Sequence, residues 1–148
     1  MVGVIDYGMG NLFSVCNALK TLGSDVIICS DPSELKNVER IILPGVGAFK
    51  DCISNLNNKG FIHVLNQEVR FSGKPIYGIC LGMQVMARKS FEHGEHEGLG
   101  WFDAHVKLIK PKDTSLCVPH VGWNNISFQK KSPLFKGIPY NPDFYFVH

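Results

Sequence analysis

The chain has 148 residues, 45% hydrophobic and 19% charged, with 15 Lys and Arg against 13 Asp and Glu and a formal net charge of +2. That length fits a single domain over residues 1–148, large enough to bury about two thirds of its unfolded surface. Without a basic cluster, a bilayer-length apolar run or a basic-then-apolar leader, nothing points to nucleic acid or membrane, and the expectation is a small ligand and a cytoplasmic location.

The first ninety residues alternate strand and helix periods, the pattern of a parallel sheet covered by helices. Residues 2–5 predict a short apolar strand, closed by Asp6-Tyr7-Gly8-Met9-Gly10. From Asn11 onward, Leu12, Val15, Cys16, Leu19 and Leu22 recur at helical spacing, and Gly23 suits the stop. Residues 25–29 predict a second strand, Ser30-Asp31-Pro32 opens a helical turn, and residues 40–43 predict a third strand ending at Pro44. Two helical segments follow at 49–56 and 61–71, broken at Asn57-Asn58-Lys59-Gly60, and Lys74-Pro75 leads into a strand that runs up to Cys80. Past residue 90 the helical period fades while Gly, Pro and aromatic residues rise, so short strands are predicted at 104–109, 125–128 and 144–148. The fold class is α/β, a doubly wound and mostly parallel sheet. Reacting groups in such sheets gather beyond the C-terminal strand ends, which places the loops at 6–10, 44–48 and 78–82 on one rim.

Five cysteines at irregular positions 16, 29, 52, 80 and 117, with no C-x-x-C pair, suggest neither a disulfide framework nor a zinc knuckle. One of them stands apart. In Pro75-Ile76-Tyr77-Gly78-Ile79-Cys80-Leu81-Gly82-Met83-Gln84 a strand-like run meets a helix-like one with a glycine two residues to either side of the thiol. That is the layout of a nucleophile elbow, whose crowded turn explains the glycines and whose following helix would stabilise a thiolate. A buried core cysteine is the competing reading. An oxyanion needs fixed donors, and Pro44-Gly45-Val46-Gly47-Ala48 could present backbone N–H groups, with the Leu81 N–H as a second source. Residues 44–48 are also compatible with an ordinary strand-to-helix loop. The run Glu92-His93-Gly94-Glu95-His96-Glu97 has histidines three apart beside carboxylates, but its glycine and the lack of an HExxH pattern make it a solvated turn, and no metal or other cofactor is expected.

Asp6-Tyr7-Gly8-Met9-Gly10-Asn11-Leu12, Pro44-Gly45-Val46-Gly47-Ala48-Phe49, Gly78-Ile79-Cys80-Leu81-Gly82-Met83-Gln84 and Pro119-His120-Val121-Gly122-Trp123-Asn124 occur in that order, followed by Tyr145-Phe146-Val147-His148. Together they resemble the glutaminase subunits of imidazole glycerol phosphate synthase, which are class I glutamine amidotransferases of flavodoxin-like fold. The resemblance implies that Cys80 attacks the side-chain amide of glutamine, forms a glutamyl thioester and releases ammonia. It further implies that Gly45, Val46, Gly47 and Leu81 shape the oxyanion site and that Gln84 and Glu92 hold the amino-acid end of glutamine. A cyclase partner with a β/α barrel would dock to form a heterodimer, take up the ammonia and make imidazole glycerol phosphate in histidine biosynthesis. By the same resemblance Asn11, His120, Trp123 and His148 lie at or near the partner surface. For Trp123 an interface anchor and a core indole are both compatible with its Gly-Trp-Asn setting.

The resemblance fails at one place. The family takes its base and orienting carboxylate from a late Phe-His-Pro-Glu segment, which does not occur in these 148 residues. His148 matches the earlier Tyr-Phe-Val-His segment and His120 the partner-facing loop, so no base is assigned. The expectation is a domain incomplete at its C-terminus and inactive alone, with a chain continued by a second polypeptide as another possibility. Competing functions are a paralogous subunit that feeds ammonia to amidino-sugar synthesis for surface polysaccharide, a non-catalytic docking module of the same fold, and, ranked last, a cysteine hydrolase.

Overall fold

All four residues of the first strand, Val2–Ile5 (β1), are buried, the pattern of a strand with neighbours on both edges and layers on both faces. The computed structural model describes residues 1–113 and 115–148, which form two compact units, 1–108 and 109–148.

In the first unit β1 lies between Val26–Cys29 (β2) and Arg40–Leu43 (β3), and β3 pairs in turn with Ile76–Gly78 (β4), all parallel, in the order β2-β1-β3-β4. That order is the flavodoxin-type one for a doubly wound sheet. The strand bounds read from the sequence hold for β1 and β3, and β2 begins one residue later than expected. The helix Leu12–Thr21 (α1) starts where Asn11 accepts from the Ser14 N–H. It ends in a Schellman arrangement: Gly23 N–H reaches Lys20 O at 2.9 Å and Ser24 N–H reaches Leu19 O at 3.0 Å. A tight helical turn over Pro32–Asn37 opens with Asp31 and Glu34 in a capping box. Helices Phe49–Asn58 (α2) and Phe61–Leu65 (α3) are separated at Gly60, and the chain continues from α3 through Asn66–Phe71 in wider π-type turns.

The helix after Cys80 is shorter than its sequence suggests. Leu81–Gln84 (α4) is one turn, after which the chain re-enters a sheet as Ala87–Ser90 (β5). Cys80 therefore stands at the start of a single turn, in which the Leu81 N–H is unengaged while those of Gly82, Met83 and Gln84 are already bonded, rather than at the dipole of a full helix. β5 pairs with His96–Glu97 (β6) on one side and with Phe102–Val106 (β7) on the other, a three-stranded sheet of which only the β7 region had been expected, at 104–109. Lys89 holds Glu95 and Glu97 across the β5–β6 pair, so those carboxylates serve the hairpin. One contiguous core runs from Ile5 and Tyr7 through Leu43, Phe49, Leu56 and Phe61 to Leu81 and Val85.

In the second unit Val121–Asn125 (β8) and Asp143–Val147 (β9) form an antiparallel pair, with Val121 opposite Val147 and Trp123 opposite Tyr145. β9 lies where a strand was expected, at 144–148. β8 precedes the expected 125–128, because Val121 and Trp123 suit a strand and find partners on β9. Among the described residues no helix is long and apolar enough to cross a membrane.

Candidate active site

The parallel register brings the C-terminal ends of β1, β3 and β4 side by side, and the loops that follow them touch. Tyr7 donates its hydroxyl to the Pro44 carbonyl at 2.8 Å, joining the loop after β1 to the loop after β3. The loop after β3 meets the elbow at Gly45, where a methyl group would come within 2.7 Å of the Gly82 nitrogen and 2.9 Å of the Leu81 Cβ. One rim thus carries all three glycine-containing loops.

Cys80 is the exposed residue at the apex of the β4–α4 turn, with φ 52° and ψ −115°. A non-glycine residue at such angles is strained, and strain of this kind persists where the surroundings over-determine it. Those surroundings are the flanking glycines. A Cβ on Gly78 would lie 2.5 Å from the Met83 nitrogen, and one on Gly82 would lie 1.9 Å from the Leu43 carbonyl oxygen. Absence of both side chains lets the α4 turn fold back onto β3 and β4 and leaves the thiol outside. Cys16, Cys29 and Cys52 are buried, whereas Cys117, in the second unit, is exposed like Cys80.

Around that thiol the backbone donors are unengaged. Among the described residues, the N–H groups of Gly45, Val46, Gly47 and Leu81 have no hydrogen-bond acceptor. Gly45 and Leu81 are buried, while Val46 and Gly47 are exposed on the loop. Fixed donors of this kind stabilise a developing oxyanion without reorganising during the reaction. Gln84 closes the α4 turn, half-buried, its N–H on the Cys80 carbonyl at 3.1 Å.

Glu92 sits at the far end of the same loop, where its Oε2 accepts from the Phe49 N–H at 2.7 Å, at the start of α2. A carboxylate there satisfies an otherwise orphan helix donor. Its Oε1 has no partner among the described residues. Asn11 uses its side-chain oxygen to cap α1.

His120, Trp123 and His148 all belong to the second unit. His120 Nδ1 and His148 Nε2 lie 3.0 Å apart, and the two backbones exchange hydrogen bonds just beyond the β8–β9 pair. Both line a groove of about 510 Å³ together with Cys117, Pro119 and Asn124. Trp123 is 74% exposed, so it is not a core indole, and it meets Tyr145 edge-on at 5.6 Å.

Two further residues bear on the site that the sequence reading passed over. Tyr7 is fully buried, and Cys52 on α2 donates to its hydroxyl at 3.2 Å. Burial raises the Tyr7 hydroxyl far above the ordinary phenolic range and pushes the Cys52 thiol up to about 11, so both hold their protons at neutral pH. The signal for Tyr7 was its position, a hydroxyl-bearing aromatic two residues after a continuous apolar strand.

Residues 3–148 match the family model described as glutamine amidotransferase class-I. The imidazole glycerol phosphate synthase subunit HisH of Caldanaerobacter subterraneus subsp. tengcongensis is 49% identical over 148 residues, which is all of this chain and 71% of that protein. Subunit HisH 1 of Campylobacter jejuni is 43% identical over 148 residues, all of this chain and 73% of that protein. A solved structure described as a crystal structure of glutamine amidotransferase shares the fold, with a TM-score of 0.70 at 20% identity, over 99% of this chain and 70% of that one. Sequence, strand order and elbow point the same way, and the chain belongs to the class I glutamine amidotransferases.

Proposed function

We propose that the rim around Cys80 is a glutaminase site and that this chain supplies ammonia to a cyclase partner that makes imidazole glycerol phosphate. The observation that carries the reading is the strained, exposed Cys80 beside the unengaged N–H groups of Leu81 and Gly45. Its relatives named as HisH subunits of imidazole glycerol phosphate synthase support histidine biosynthesis as the pathway, and a cytoplasmic location goes with that reading. The match over residues 3–148 supports treating both units as parts of one amidotransferase domain.

The chemistry is two-step acyl transfer. The Cys80 thiolate adds to the side-chain carbonyl carbon of glutamine, and the carbonyl oxygen takes up the negative charge. The N–H of Leu81 and those of the Gly45 to Gly47 loop receive that oxygen, a contribution that typically amounts to about a hundred- to a thousandfold in rate per donor. Collapse breaks the carbon–nitrogen bond, and the nitrogen leaves as ammonia after accepting a proton. Water then adds to the thioester and releases glutamate and the thiol. Glu92 Oε1, unpaired at the end of the loop, suits the α-ammonium of glutamine, and Gln84 suits its carboxylate side. Trp123, His120 and His148 present the docking face for the barrel-shaped cyclase on the second unit, and Asn11 is a further contact residue on the first.

Titration of the protein with a cyclase of the histidine pathway, followed by calorimetry, tests the partner. Submicromolar 1:1 binding is expected, and binding that appears instead with an amidino-sugar synthetase would move the protein to that pathway.

A further inference from the structure

We infer that Tyr7, itself held by Cys52, is a positioning residue that aims the oxyanion loop at Cys80. The inference rests on the glutaminase reading of the rim. Its geometry stands on three contacts within the first unit: Cys52 Sγ–H donates to the Tyr7 hydroxyl at 3.2 Å, Tyr7 donates to the Pro44 carbonyl at 2.8 Å, and a Cβ on Gly45 would lie 2.8 Å from the Tyr7 oxygen.

Pro44 O and Gly45 N–H belong to one planar trans peptide and point in opposite directions, so anchoring the carbonyl fixes the direction of the N–H. That N–H has no acceptor among the described residues, and the Gly45 Cα packs against Leu81 and Gly82 of the elbow. Rotation of the 44–45 peptide would break the Tyr7 bond and leave a buried carbonyl unpaired, a penalty that biases the peptide towards one orientation. Tyr7 is 1% exposed, so water cannot substitute for either bond. The carbonyl is held by an uncharged donor, because burial keeps both the phenol and the thiol protonated through the physiological range.

Cys52 fills a second requirement. Once Tyr7 has given its proton to Pro44, its oxygen still needs a donor, and the α2 cysteine one turn after Phe49 supplies it. Glu92 fastens the other end of the loop through the Phe49 N–H, so residues 45–48 hang between two side-chain anchors, one on each side of the exposed Val46 and Gly47.

The test uses glutamate γ-semialdehyde, whose aldehyde carbon adds the Cys80 sulfur while its oxygen receives the thiol proton. The resulting thiohemiacetal oxygen sits where the reaction's oxyanion forms. Iodoacetamide is the control, since alkylation by displacement of iodide builds no oxyanion. Tyr7→Phe is expected to weaken semialdehyde binding about tenfold, the scale of one unsatisfied buried polar group, while iodoacetamide modifies Cys80 within twofold of the unsubstituted rate. Cys52→Ser keeps a donor and is expected to bind within twofold of the unsubstituted protein, whereas Cys52→Ala loses about threefold. Equal semialdehyde affinity in Tyr7→Phe and the unsubstituted chain overturns the inference and leaves the glutaminase reading standing. No semialdehyde adduct on Cys80 in the unsubstituted chain overturns both. If Tyr7→Phe does not fold, the serine and alanine variants at position 52 decide, and equal affinities between them overturn the inference.

Discussion

The two units of this chain solve different problems. In residues 1–108 the parallel sheet is covered, and every buried hydrophobic side chain among the described residues lies there, down to Tyr7, Phe49 and Phe61 at about zero exposure. In residues 109–148 an antiparallel pair of strands carries Val121, Trp123, Tyr145 and Val147 with more than half of each side chain exposed. A two-stranded ladder by itself is marginal in water, whereas a covered four-stranded sheet can hold a strained turn in place. Under the proposed function the contrast teaches that reactivity would need a scaffold stiff enough to keep Cys80 at φ 52°, while recognition of a partner would use exposed apolar side chains.

The largest effect that could break this contrast concerns turnover. Cys80→Ala is expected to lower ammonia release from glutamine on the order of a millionfold with cyclase present. A coupled glutamate dehydrogenase assay measures it, and comparable turnover would show that Cys80 is not the nucleophile.

Stiffness of the first unit is tested next. Gly82→Ala would put a methyl group 1.9 Å from the Leu43 carbonyl oxygen, backbone against backbone with nothing flexible to move. Destabilisation above about 4 kcal/mol in urea unfolding is expected, at the exceptional end for single substitutions. A loss under about 1 kcal/mol would mean that the elbow gives way more easily than its contacts suggest.

The first unit should also carry an alkaline signature. Burial pushes Cys29 and Cys52 up to about 11, Glu34 adding to the rise at Cys29 and Lys74 opposing it, whereas an unfolded thiol titrates near 9. Above pH 9 the unfolded chain therefore binds fewer protons than the native one, and stability falls as pH rises from about 9 to about 11. The loss is roughly 2 kcal/mol per thiol, and Cys52→Ala is expected to flatten that slope when denaturant midpoints are compared across the window.

The smallest expected effect sharpens the division of labour. Trp123→Ala should weaken cyclase binding by about 2 kcal/mol, the scale of a central aromatic anchor, while Cys80 alkylation stays within about twofold of the unsubstituted chain. Calorimetry and alkylation rates read the two arms separately.

Much of this division was legible from residue patterns. Continuous apolar runs at 2–5 and 40–43 announced buried parallel strands, and the Gly78-x-Cys80-x-Gly82 spacing announced the turn because only missing side chains permit it. The length of α4 was not legible, since Val85, Met86 and Ala87 suit helix and strand alike and only pairing with β7 decides. β8 was displaced for a related reason: the strand character of 121–125 depends on Tyr145 and Val147 lying opposite. Glu92 was read for glutamine alone, and its bond to the Phe49 N–H is a contact across 43 residues that no local pattern reports. Tyr7 went unread because its partners, Pro44 and Cys52, are distant in sequence.

One measurement bears on the central claim most directly, because Cys80 and Cys117 are both exposed thiols on the same chain. Treating the protein with the chloroketone analogue of glutamine and mapping the adduct by mass spectrometry asks whether the elbow, rather than exposure, makes a thiol reactive. The account predicts one adduct, on Cys80, slowed by added glutamine and absent in Cys80→Ala. Equal modification of Cys117, or an inert Cys80 in the folded protein, would contradict it.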